Sequence, residues 1–176
     1  MPRGEVFSNN EFYHVYNRGV DKRDIFDDQY DIDRFHQSMV EFNSIDPIGS
    51  IFENSFRKQL GDPTSKLPKN ERLVNIVAYC FNPNHYHIIL EQLVENGIST
   101  FMKRFGGYTM YFNEKYKRSG ALFQGKYKVK HINSNEYLLH LSAYVNLNNR
   151  VHGIPLGDPT SKCQIRSSLD EYVGQV

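Results

Sequence analysis

An α+β fold built on an antiparallel sheet is predicted by three features: a strand-like alternation near the start, two apolar runs joined by a tight turn, and three stretches with helical apolar spacing. The alternation is EFYHVYN at residues 11–17, with Phe12, His14 and Tyr16 on one side and Tyr13, Val15 and Asn17 on the other. A first helix is predicted over residues 30–42, where Ile32, Phe35, Met39 and Phe42 recur at helical intervals. Residues 43–70 lose that pattern among Pro, Gly, Ser and Lys and are expected to form an irregular excursion, with 48–56 as a short strand or packed loop. The runs LVNIVAYCF at 73–81 and HYHIILE at 85–91 flank Asn82-Pro83-Asn84, a turn signal, and read as two antiparallel strands.

A second helix follows from the spacing of Ile98, Phe101, Phe105, Tyr108 and Phe112, weakened at Gly106-Gly107. Residues 121–132 are expected to be a strand rich in Lys and aromatics, and a third helix starts near Asn133 with Glu136 as its capping partner. This order suits a ferredoxin-like antiparallel sheet with helices packed on one face. The chain of 176 residues is long enough for one domain with a core, read here as residues 1–176 with a tail at 151–176.

Composition excludes several classes. Basic residues number 21 against 20 acidic ones, so the chain is neither a polybasic tail protein nor an acidic disordered one. Two distant cysteines, Cys80 and Cys163, build no disulfide framework and no four-thiolate zinc site, which fits the cytoplasm. No stretch approaches the about 18 apolar residues of a membrane span, so no membrane partner is expected. The heptapeptide LGDPTSK occurs at 60–66 and again at 156–162; nothing repeats around it, and a pair of surface turns accounts for it physically.

Chemistry concentrates in the second half. His85 and His87 are two apart on a strand, so their imidazoles share a face and can converge on one cation. Taken alone, such a pair is more often ordinary strand polarity than a metal site. Tyr144 and Asn148 lie four apart on the third helix, with His140 a turn earlier and Leu138, Leu141 and Val145 on the buried side. A phenol beside a cation-bound phosphate is a competent nucleophile, although spacing alone leaves Tyr144 an ordinary interfacial aromatic. Between Phe101 and His131 the cations Lys103, Arg104, Lys115, Lys117, Arg118, Lys126, Lys128 and Lys130 face one acid, Glu114, and tyrosines and phenylalanines are interleaved with them. That mixture tracks a phosphate backbone and stacks exposed bases. The stretch 21–33 is acidic by contrast, so the near-neutral total hides strong polarity.

Several ordered motifs together resemble the single-tyrosine HUH transposases, and especially their REP-associated branch: YHVYNRG at 13–19, FNPNHYH at 81–87, GALFQGKYK at 120–128, YVNLN at 144–148, and the ending with Arg166-Ser167-Ser168 and Tyr172-Val173-Gly174. Tyr86 fills a slot more often aliphatic there, and Asn149 stands where proline is common. The resemblance implies an HUH endonuclease type of fold, a divalent cation (Mg or Mn) held by His85, His87 and Asn148, and attack by Tyr144 on a DNA phosphodiester to give a 5′-phosphotyrosine and a free 3′-hydroxyl. It also implies a single-stranded DNA partner carrying hairpins or palindromic repeats, with a homodimer open as an assembly. Arg18 and Lys126 follow the matching motifs as DNA contacts; Asn84, Arg104 and Lys128 follow charge and proximity. Two other readings stay open: a metal-dependent phosphodiesterase with Tyr144 as bystander, and a domesticated single-stranded DNA-binding protein without transposition.

Overall fold

The computed structural model describes residues 6–60, 71–153, 165–169 and 171. Its frame is a five-stranded antiparallel sheet in the order β4-β1-β3-β2-β5. The strands are β1 (Phe12–Arg18), β2 (Val74–Asn82), β3 (His85–Gln92), β4 (Lys128–Ile132) and β5 (Arg166–Ser167). The helices are α1 (Gln29–Glu41), α2 (Ile51–Gln59), α3 (Gly97–Phe105), α4 (Tyr108–Lys115), α5 (Asn135–Asn146) and α6 (Asn148–Val151). The expected α+β sheet is therefore present, and its first four strands have the predicted order in the chain.

Strand alternation sorts the two faces. Tyr13, Val15, Tyr79, Phe81, Tyr86, Ile88 and Leu90 join Ile32, Phe35 and Met39 of α1, Ile98, Phe101 and Phe105 of α3, and Tyr108 and Phe112 of α4 in the larger core. Ala78, Cys80, Ile89 and Ile132 pack with Leu141 and Val145 of α5 and with Ile165 in a smaller one. The placing of all helices on one face is thus corrected: α5 lies across the sheet from α1, α3 and α4. Its apolar stripe fitted either face, and the sheet register decided which.

Three other expectations change. The excursion at 43–70 contains α2, whose start is capped by the Ser50 hydroxyl accepting from the Glu53 N–H at 3.0 Å. The single second helix is two, α3 and α4, parting at Gly106-Gly107. The basic strand begins only at Lys128; residues 121–127 approach as a loop, joined to the sheet by a bridge between Gly19 and Phe123. Gly19 is itself required by the turn that follows β1, since a Cβ there would collide with the Arg23 carbonyl oxygen.

Charge also holds the frame. Asp28 and Asp31 cap α1 reciprocally, and buried Asp31 accepts from Lys115 Nζ and from the Tyr116 hydroxyl, both at 2.8 Å, which fastens α1 to α4. Lys115, one of the cations in the basic stretch, is therefore engaged with acids of 21–33 rather than presented to a ligand. Among the described residues no helix is long and apolar enough to cross a membrane. The duplicated heptapeptide, apart from Leu60, lies outside the described residues, as do 172–174.

Candidate active site at the paired histidines

The site grows out of strand register. Arg18, His85 and Asn82 face one another across β1, β3 and β2; the next row holds Lys128, Tyr16, His87 and Cys80, and the row after it Lys130, His14, Ile89 and Ala78. Residues directly paired point to the same side, so all of these side chains occupy the face that α5 covers in part. Arg18, Lys128, Tyr16, His85 and His87, with Gln124 and His152, line an open cleft of about 250 Å³ there.

Each imidazole is held through its Nδ1. Asn84 donates its amide to the Lys22 carbonyl at 3.2 Å, which turns its Oδ1 toward His85 Nδ1 at 2.6 Å. An amide oxygen only accepts, so Nδ1 carries the proton and the neutral ring keeps a lone pair on Nε2. That Nε2 lies 3.1 Å from Asn148 Oδ1, and Asn82 Nδ2 donates to the same Oδ1 at 2.8 Å and stands 3.1 Å from Nε2. His87 Nδ1 meets His14 Nε2 at 2.8 Å; with His87 as donor, its Nε2 also retains a lone pair. The rings of His14, Tyr16 and His87 stack, with centroids 4.9 to 5.6 Å apart.

Burial dominates the electrostatics. It holds His87 down at about 3, helped by His14, His85 and His152, and His14 down at about 4, helped by Lys130. His85 is lowered as well, first by burial. All three are neutral near pH 7, the form that ligates metals. Unfolded histidines protonate below about 6.5 while these stay neutral, so the groups leave stability unchanged above that pH and reduce it as pH falls toward 3. The thermal midpoint in metal-free buffer is accordingly expected to drop between pH 7 and pH 4.5, and His14→Gln to flatten part of that slope. A midpoint constant over this range would contradict the burial of neutral imidazoles.

Two imidazole nitrogens and one amide oxygen form a neutral donor set that suits a borderline or oxygen-seeking divalent ion with open positions for phosphate oxygens and water. Among the described residues no group of three His, Cys, Asp or Glu side chains could hold a metal, so a third protein ligand beside His85 and His87 would be of another type, and Asn148 Oδ1 stands 3.1 Å from His85 Nε2. Asn148 is fully buried and its Nδ2 has no hydrogen-bond partner, which leaves Asn82 as the group that fixes its oxygen. The residues present fit such an ion.

Tyr144 is delivered by α5. Leu141 and Val145 dock on the sheet, which leaves the Tyr144 ring at the rim, 37% exposed, with its centroid 6.2 Å from that of His87 and nearly perpendicular to it. Asn148 does not continue that helix as expected: α5 ends at Asn146, Leu147 leaves helical geometry, and Asn148 opens α6. The tail fixes this junction from behind. Ser167 donates its hydroxyl to the Asn146 carbonyl at 2.9 Å, Ser168 bonds the Asn146 side chain, and Ser168 Oγ accepts from the Tyr79 N–H at 2.9 Å.

The candidate DNA contacts separate. Arg18 and Lys128 reach the histidine cleft, and Lys126 lines a second cleft nearby. Asn84 is engaged with His85, and Arg104 donates to the Ser44 and Ile45 carbonyls beyond α1, outside the residues lining either cleft. His140 is exposed on α5. Sequence reasoning missed His14, Asn82, Tyr16 and His152. His14 and Tyr16 lie on one side of the first alternation, a signal that gained meaning only from the β1–β3 pairing.

An antiparallel sheet lifts paired imidazoles from a central strand toward a tyrosine on a covering helix, which sets a phenol beside a candidate cation site. The family described as Transposase IS200 like has a model that matches residues 49–148, and the chain belongs to that family. Its fold is similar to that of a REP-associated tyrosine transposase bound to a REP hairpin, with a TM-score of 0.54 at 12% identity, covering 99% of this chain and 86% of that one. A structure from Deinococcus radiodurans described as that of a transposase covers 82% of this chain and 95% of its own, with a TM-score of 0.43 at 15% identity. No curated protein matches the chain.

Proposed function

We propose that this chain cleaves and rejoins single-stranded hairpin DNA through a 5′-phosphotyrosine on Tyr144, with a divalent cation (Mg or Mn) held by His85, His87 and Asn148. The observation that carries the reading is the Tyr144 ring standing 6.2 Å from His87 of the same chain. Membership of the transposase family supports DNA as substrate, and the hairpin bound by the structural neighbour supports its form.

In this reading Arg18 and Lys128 draw the phosphate into the cleft and balance its charge. A bound cation supplies Lewis acidity at the phosphoryl oxygens. Asn84 keeps the His85 ligating nitrogen unprotonated, His14 does the same for His87 by accepting from its Nδ1 in the ligating tautomer, and Asn82 holds the Asn148 oxygen toward them. Tyr144 gives up its phenolic proton and its oxygen bonds to phosphorus, while the bond from phosphorus to the 3′ oxygen breaks and that oxygen takes up a proton. One P–O bond forms as one breaks, so an incoming 3′-hydroxyl reverses the step and rejoins strands without an external energy source. Tyr144 and the histidines stand close within one chain, so in this reading the step is drawn within a single subunit.

The test is incubation of 5′- and 3′-labelled hairpin DNA with the protein and manganese, resolved under denaturing conditions. The native chain is expected to carry the label 3′ of the cut covalently, and Tyr144→Phe to lose both adduct and cleavage. Continued cutting by Tyr144→Phe without adduct would instead identify a phosphodiesterase, and binding without cutting under every metal a domesticated DNA-binding protein.

A further inference from the structure

Beyond the segment that borders the histidine cleft lies a smaller cleft of about 140 Å³, opening toward the opposite sheet face. Its walls are rings, Phe35, Tyr86, Phe105, Phe123 and Tyr127, and Lys126 lies at its edge. Tyr86 presents its ring edge-on to Phe123, with centroids 5.7 Å apart and planes at 88°, and Lys126 Nζ lies 5.3 Å from the Tyr127 ring. Tyr86 sits between His85 and His87 in β3, so strand alternation turns it away from the imidazoles and into this second cleft.

The two clefts adjoin one another. Asn17 lines both, and its Nδ2 donates to the Gly125 carbonyl at 3.1 Å. Residues 123–128 form the partition: Gln124 and Lys128 line the histidine cleft, whereas Phe123, Gly125, Lys126 and Tyr127 line the aromatic one. Within that partition Gly125 has φ of 75° and open space where a Cβ would stand, so at this crest residue the barrier is bare main chain. Each side of that crest carries a lysine.

We propose that the aromatic cleft receives one unstacked base of the same single strand whose phosphate occupies the histidine cleft, the strand crossing over Gly125. This rests on the reading of the histidine cleft as a DNA-processing site. Flat π surfaces take up any base face, and a lysine on each side of the crest matches the phosphates that flank the extruded nucleotide. The depth of the cleft, reaching Phe35 and Phe105 in the core, suits insertion of a ring rather than contact along a surface.

Oligothymidylates carrying 5-iodouracil at single positions, photocrosslinked to Tyr144→Phe protein that binds without reacting, test this with every cleft residue intact. Peptide mapping is expected to place the crosslink of one position on Tyr86, Phe123 or Tyr127. Removing the base at that position should weaken binding about tenfold, and Tyr127→Ala should weaken the intact strand by a similar factor while leaving the abasic strand unchanged. Crosslinks confined to the Tyr16 side, or equal affinity for intact and abasic strands, would overturn the proposal, as would Tyr127→Ala weakening both strands alike. Adduct formation by the native chain is scored separately. Base-dependent crosslinks without an adduct would sink the strand-transfer reading alone, and an adduct without base dependence would sink this one alone.

Discussion

Replacing His85 and His87 together by glutamine is expected to lower DNA cleavage by on the order of 10³-fold and to abolish the rise in thermal midpoint that manganese gives the native chain. The expectation follows from the donor inventory. Among the described residues no alternative cluster of carboxylate, imidazole or thiolate groups could recruit a cation, and Asn148 alone offers a single neutral oxygen. Glutamine keeps much of the side-chain volume of these largely buried positions, and retained cooperative unfolding would show that the fold survives. Cleavage at the native rate, or an unchanged manganese shift, would remove the imidazoles from the machinery. The single variants are expected to differ in their collateral effects. Losing His87 leaves the buried His14 Nε2 without its partner, whereas losing His85 frees the Asn84 oxygen, which lies nearer solvent.

The largest loss of stability is expected from Phe35→Ala, about 3–5 kcal/mol by urea unfolding. Phe35 is 1% exposed, and its ring centroid lies 4.3 to 5.3 Å from those of Phe26, Phe81, Tyr86, Phe105 and Tyr108. One side chain therefore ties α1 to β2, β3, α3 and α4. Truncation removes the apolar contact and leaves a hole that rigid ring neighbours fill poorly. Since domains of this size are commonly stable by about 5–15 kcal/mol, the variant stands near the edge of folding. A second consequence reaches the site: Tyr86 loses a supporting ring, and His85 and His87 are its immediate neighbours in β3. Reduced activity at temperatures where the variant remains folded would report that coupling. A loss below about 1 kcal/mol would contradict Phe35 as the hub of the larger core.

The sequence carried the site unevenly, for physical reasons. That His85 and His87 share a face follows from strand geometry at once, and the stripe of Leu141 and Val145 in α5 fixed which side of that helix is buried. The partners of the imidazoles were hidden, because His14 reaches His87 only through the β1–β3 register, and register depends on pairing between segments some 70 residues apart. Helix α2 was hard to read because it carries only three apolar residues, Ile51, Phe52 and Phe56, too few for a clear stripe, and only Ile51 is buried, although Ser50 followed by Glu53 was a legible cap. Strand β5 is two residues long and owes its place to Ser167 and Ser168 bonding Asn146 and Tyr79, contacts that no periodicity encodes. Charge counting also overstated the basic half, since Lys115 and Arg104 serve the frame.

Peptide mapping of the trapped protein–DNA adduct by mass spectrometry decides whether Tyr144 is the nucleophile. The nucleotide is expected on the peptide containing Tyr144. A nucleotide on Tyr16, whose ring lines the cleft 5.6 Å from that of His87, or cut DNA with no modified residue, would contradict it.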